Sequence, residues 1–151
     1  MLRVRKLTDY ATVVMGHLAA ASDTVHCASE VALCTGIALP TTSKVLKVLV
    51  RAGLLRSVRG QGGGYALARP AAEISVAQIV RSFEGPVGLT ECGSGEGLCE
   101  QESVCSIRGN WQRINQMVLA ALESMTLAEM IRPAPVPIHA ALRRQSANAP
   151  S

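Results

Sequence analysis

The chain has 151 residues, 48% of them hydrophobic and 3% aromatic, with five cysteines and a net charge of +4. That length suits one domain, or a small domain with an added element, and its core must come from Leu, Val, Ile, Ala and Met. No apolar run approaches the ~18 residues of a membrane-spanning helix, so no membrane partner is expected.

The opening stretch MLRVRKLTDY has no signal-peptide pattern. A cytoplasmic, reducing setting is the expectation, and there clustered cysteines point to metal or redox chemistry before disulfides. The charge is unevenly divided. Residues 1–70 hold nine Lys/Arg against three Asp/Glu, residues 71–105 hold one against six, and residues 106–151 hold five against two. A basic first half ahead of an acidic stretch suggests a polyanion-binding module joined to something else.

Leu7, Tyr10, Ala11, Val14, Met15, Leu18 and Ala19 follow the i, i+3, i+4, i+7 pattern of an amphipathic helix, which ends near Ala21. Ser29 reads as the N-cap of a short second helix closed by Gly36. Pro40 opens a third helix, running over Thr41–Ala52 and stopping at Gly53. Two short helices around a glycine-containing turn predict a helix-turn-helix. Thr41, Thr42, Ser43, Lys44 and Lys47 gather at the start and outer side of its second helix, where such modules meet base edges and phosphates. Cys34 falls where a small buried group is expected, and neither it nor Cys27 is read as a ligand. His17 is expected at the surface or boundary.

Leu54–Val58 and Tyr65–Ala68 are short strand candidates around Arg59-Gly60-Gln61-Gly62-Gly63-Gly64. A hairpin in this place is a wing, with Arg59 and Gln61 at its tip for the minor groove. The glycine run lacks the Lys-Ser/Thr of a phosphate loop and the surrounding βαβ unit. Arg3 and Arg5 could add contacts to the DNA backbone. Ser75 caps a further helix, which Gly85-Pro86 ends.

The stretch ECGSGEGLCEQESVC, residues 91–105, holds Cys92, Cys99 and Cys105. It has neither the close Cys-x₂₋₄-Cys knuckle nor the nearby histidine of a structural zinc site. Soft thiolates in a glycine-rich loop suit an iron–sulfur cluster, weighed here against zinc or redox thiols. Beyond Cys105, the residues Val104, Ile107, Trp111, Ile114, Val118, Ala121 and Met125 form a heptad seam. Asn110, Gln112, Arg113, Asn115 and Gln116 line the other faces. The seam predicts a long helix that packs on its own domain or on a second copy. Thr126-x-x-Glu129 then reads as a capping box, and the proline-rich segment from 133 as a disordered tail.

The fold class expected is mainly α with a small β-hairpin: a winged helix-turn-helix over 1–85, a cysteine loop over 86–105, dimerisation helices over 106–132 and a tail over 133–151. In KLTDYA, in SVRGQGGGYAL, and in three cysteines ahead of a helix near CSIRGNW, the chain resembles the Rrf-type winged-helix iron–sulfur regulators of the IscR and NsrR kind. KLTDYATVV is most like the regulators of SUF iron–sulfur assembly genes.

The resemblance covers roughly residues 1–132 and implies a homodimer on double-stranded DNA. It implies an iron–sulfur cluster, 2Fe–2S ahead of 4Fe–4S, with Cys92, Cys99 and Cys105 as ligands. It implies Arg59 and residues 41–44 as DNA readers, in a non-enzymatic regulator such as a repressor. Three positions depart from the pattern. The first inter-cysteine gap is one residue longer than in relatives. Arg108 stands where IscR has a ligating histidine, and Ser43 where it has a glutamate. In the nitric-oxide sensor a first-helix aspartate of the partner subunit completes the site. Asp9 matches that place, with Glu91, Glu96, Glu100, Glu102 or a small thiol as alternatives. A zinc- or thiol-based redox-sensing repressor, and an iron–sulfur protein that does not bind DNA, are the competing functions.

Overall fold

The computed structural model describes residues 3–94, 96–101 and 103–133, without the side chain of Cys92. Glu102 and the expected tail beyond 133 lie outside the described residues. The elements run α1 (Lys6–Ala20), α2 (Ala28–Thr35), α3 (Leu39–Arg51), β1 (Leu55–Val58), β2 (Gly64–Leu67), α4 (Val76–Glu84), α5 (Glu91–Ser94), α6 (Arg108–Ser124) and α7 (Leu127–Met130), with a 3₁₀ turn at Ala71–Glu73. This is the mainly helical winged helix-turn-helix, with a long C-terminal helix, that the sequence predicts. Among the described residues, no single helix is long and apolar enough to cross a membrane.

The core forms where the predicted apolar stripes meet. Ala11, Val14, Met15 and Leu18 of α1 pack with Val31 of α2, Val45, Leu46 and Leu49 of α3, and Ile79 of α4. Each fully buried Leu or Ile contributes about 1.5–3 kcal/mol. Gly36 closes α2 in the left-handed region at φ 71°, its N–H donating to Ala32 O. An L side chain is strained at that φ, so glycine makes the turn between the two helices.

Two placements differ from the sequence reading. Helix α2 begins at Ala28, with Cys27 rather than Ser29 at the N-cap. Its inward stripe is Ala28, Val31, Ala32 and Thr35, which leaves Leu33 and Cys34 facing solvent. Cys34 is therefore exposed, not buried. Helix α3 begins at Leu39 with Pro40 in its first turn. Thr42 then falls on the same stripe as Val45, Leu46 and Leu49, and its side chain is fully buried.

The wing is an antiparallel pair with Leu55 opposite Leu67 and Val58 opposite Gly64. A third extended piece joins it, because His26 N–H donates to Tyr65 O at 3.0 Å and Tyr65 N–H to His26 O at 2.8 Å. A Cβ at Gly64 would run into the His26 carbonyl, so glycine permits this close approach. The bridge ties the tip-side half of the second wing strand to the segment just before the helix-turn-helix.

The expected capping box at Thr126 forms, and the expected cap at Ser75 is a capping box as well. Ser75 and Gln78 close the start of α4, and Thr126 and Glu129 the start of α7. These two helix starts also pair with each other: Val76 N–H donates to Met125 O, and Leu127 N–H to Ile74 O. Leu127 is fully buried in the core. The far end of the long helix is thereby fastened back onto the winged domain.

Candidate functional site

The wing and α3 form one face of the candidate site. Lys44, Lys47, Arg59 and Gln61 are exposed, while Thr41 and Ser43 are half-buried. Thr42 does not belong with them. Its hydroxyl donates to the carbonyls of Ile37 and Ala38, each at 3.2 Å, so it locks the first turn of α3 and does not reach a base edge. Lys47 instead shares a cleft of about 220 Å³ with Val50, Arg51, Ser57 and Tyr65, between α3 and the wing. Arg51, Ser57 and Tyr65 were missed as candidates because they lie on separate elements. The hairpin register puts Ser57 opposite Tyr65, and the packing of the wing on α3 adds Arg51 to the same cleft.

Arg3 and Arg5 lie elsewhere. The Arg5 backbone N–H donates to Glu84 Oε1 at 2.9 Å, and its guanidinium lies 3.2 Å from Glu84 Oε2. Arg3 lines a groove of about 420 Å³ with Glu84, Val87, Leu89, Val118 and Leu122. Both arginines are exposed, but their described neighbours are the end of α4 and the long helix.

The three cysteines lie between α4 and α6. Cys92 is in the single-turn helix α5, and Cys99 and Cys105 are half-buried in the turns that lead into α6. Gly97, between Cys92 and Cys99, sits at φ 75°, a turn that favours glycine. Among the described residues no three His, Cys, Asp or Glu side chains gather to hold a metal ion; the Cys92 side chain is not one of them. The donor chemistry, three thiols in a glycine-rich run, fits an iron–sulfur cluster. Asp9 is exposed in the first turn of α1. Glu91, Glu96 and Glu100 are exposed as well.

The long helix has two unlike faces. Ile107, Trp111, Ile114, Met117 and Met125 are 38–65% exposed, an apolar stripe without a described partner. Val118, expected on the same seam, turns inward and lines the groove beside Leu122. Val104 is exposed as well. Asn115, expected on an outer face, is buried. Its side chain bonds to the backbone of Val87, Leu89 and Gly93.

Of the other two cysteines, Cys27 stands at the N-cap of α2 and Cys34 lies in its last turn. The Cys27 thiol is exposed, 3.2 Å from the Ser29 hydroxyl. That hydroxyl, with the backbone N–H of Glu30, holds the thiol below its ordinary pKa. His17 is half-buried at the end of α1, its ring 5.3 Å from that of His26. His26 sits between the Thr24 hydroxyl at 2.6 Å and the Glu30 carboxylate at 3.0 Å.

A winged helix-turn-helix followed by a long helix is the architecture of a class of DNA-binding regulators. The profile of the Rrf2 family, described as "Iron-dependent Transcriptional regulator", matches residues 4–133, and the chain belongs to that family. NMA1593 of Neisseria meningitidis serogroup A, named as an HTH-type transcriptional regulator, is 39% identical over 95 residues. That match covers 63% of this chain and 64% of the relative, so the chain spans just under two thirds of that protein's length.

Two solved structures are similar throughout. CymR, described as the global cysteine regulator of B. subtilis, superposes with a TM-score of 0.69 at 26% identity, over 87% of this chain and 97% of that one. IscR of T. potens gives a TM-score of 0.67 at 26% identity, over 91% and 96%.

Proposed function

We propose that the chain is a homodimeric, iron–sulfur-dependent transcription regulator that binds double-stranded DNA and controls iron–sulfur (SUF) assembly genes in the cytoplasm. The observation that carries this reading is the position of the three-cysteine segment. It runs from the end of the winged domain into a helix with an exposed apolar stripe, so a group bound there would stand between the DNA module and the candidate dimer face along the chain. Cys92, Cys99 and Cys105 would hold the cluster, 2Fe–2S ahead of 4Fe–4S, with Asp9 of the partner subunit as fourth ligand. Such a cluster supplies an iron centre that reacts with oxidants or nitric oxide.

The DNA-contacting set is Thr41, Ser43, Lys44, Lys47, Arg59 and Gln61, to which the cleft adds Arg51. Phosphate contacts by the basic side chains position the module, and the start of α3 and the wing tip supply the groove contacts. If one arrangement of wing and α3 binds DNA better and the cluster favours that arrangement, cluster and DNA affinity are coupled. The test is retardation of the DNA upstream of the protein's own gene, with salt-dependent affinity. Equal affinity for unrelated DNA of the same length contradicts the proposal.

A second reading rests on Cys27. An exposed thiol with a lowered pKa at the start of the helix-turn-helix supports a thiol-based redox-sensing repressor. Substituting Cys27 by Ser separates the two: under this reading it abolishes the response to oxidant, and under the cluster reading it does not.

A further inference from the structure

Asn115 is only 7% exposed, on the middle of α6. Its Oδ1 accepts from the Leu89 N–H at 3.1 Å, and its Nδ2 donates to Val87 O and Gly93 O, each at 3.2 Å. One N–H and two carbonyls fix which end of the amide is which. All three partners are backbone groups of the segment that carries Cys92.

The fit is close. A Cβ at Gly93 would lie 3.2 Å from Asn115 Cγ, and one at Gly88 would fall on the Ser94 hydroxyl. Within the segment, the Thr90 carbonyl accepts from Gly93 N–H at 3.0 Å, Ser94 N–H at 3.1 Å and the Ser94 hydroxyl at 3.1 Å. Among the described residues, none in the buried core comes from 86–124. The segment is therefore fastened by polar contacts to α6, while the apolar core of the winged domain forms without it.

We propose that Asn115 is the positioning residue of the cysteine segment. It clamps the turn bearing Cys92 to α6, so that gain or loss of a cluster on that turn is passed to the helix carrying the candidate dimer stripe. The inference rests on the cluster reading above and deepens it. Asn115 does not touch the cluster; it acts through Cys92.

The experiment compares full-length wild type with Asn115→Asp and Gly93→Ala. Asp keeps an acceptor for Leu89 but turns a carboxylate toward two carbonyls. Hydrogen–deuterium exchange on the metal-free proteins reads the clamp itself. Loss of these buried hydrogen bonds is expected to raise exchange over residues 87–94 about tenfold while α1–α4 stay at wild-type rates.

Anaerobic reconstitution then reads the consequence. The visible circular dichroism of Asn115→Asp changes shape, and a chelator strips its iron about tenfold faster. Wild-type exchange over 87–94 overturns the proposal, and so does faster exchange with unchanged dichroism and stripping. If Asn115→Asp does not fold, Gly93→Ala decides by the same two readouts, with smaller changes in the same direction. If the wild type takes up no iron–sulfur cluster, the cluster reading falls, and the coupling built on it falls too. The exchange data then still decide whether Asn115 clamps the segment.

Discussion

Glu84, the last residue of α4, accepts a hydrogen bond from the Thr8 hydroxyl in the first turn of α1. Thr8 is fully buried, and the same carboxylate accepts from the Arg5 backbone N–H. The Thr8 hydroxyl is the main cause holding the Glu84 carboxyl below its ordinary pKa; the Arg5 N–H and charge add to it, against partial desolvation. The N-terminal arm is thus tied to the point where the cysteine segment begins.

A group whose folded pKa is lowered stabilises the fold above the unfolded value, about 4.3 for Glu, and loses that contribution as pH falls through the folded value. Glu84→Gln is therefore expected to cost about 1–2 kcal/mol at pH 7. The difference from wild type should shrink below pH 4. Thermal melts from pH 7 to pH 3 check this; a constant difference across that range contradicts it.

Thr42 and Lys47 lie on one helix with opposite assignments. Thr42→Val removes a buried hydroxyl donor and is expected to lower stability by about 1 kcal/mol. DNA affinity of the folded protein should not change. A fall in affinity with unchanged stability would return Thr42 to the DNA-contacting set.

Lys47→Ala and Arg51→Ala are expected to weaken binding to all DNA sequences alike, each reducing the slope of log affinity against log salt by about 1. Arg59→Ala should instead relax the preference among sites. Titrations at several salt concentrations measure the slope, and an unchanged slope removes the residue from the phosphate-contacting set.

An apolar stripe on one helix, 38–65% exposed at Ile107, Trp111, Ile114, Met117 and Met125, favours burial against a second copy. Ile114→Glu is expected to turn a dimer into a monomer in light scattering while the helix content by far-ultraviolet circular dichroism stays the same. A wild-type mass for the variant contradicts the assignment of the stripe.

The winged fold is legible because its punctuation is local. Gly36, Pro40, the glycines around Arg59, Ser75 and Thr126 each mark a boundary by a backbone requirement that the structure meets. Rotational phase is less legible. With α3 starting at Leu39, Thr42 joins the apolar stripe; in the eight-residue α2, Val31 and Ala32 point inward and Cys34 does not. Neither shift leaves a trace in composition, since each depends on where the first turn begins. Asn115 was out of reach for a different reason. It is buried by residues 87–93, a segment without hydrophobic periodicity, and its partners are backbone groups that every sequence has. The one available signal was a short polar side chain beside Val118 and Leu122 on the inward face.

The most direct test of the account is the DNA affinity of one protein in two states, cluster-loaded and metal-free. After anaerobic purification the account predicts a coloured protein whose visible absorbance accompanies iron and sulfide. It predicts that its affinity for the DNA upstream of its own gene changes when the cluster is removed. A colourless protein carrying one zinc per chain, or equal affinity in the two states, contradicts it.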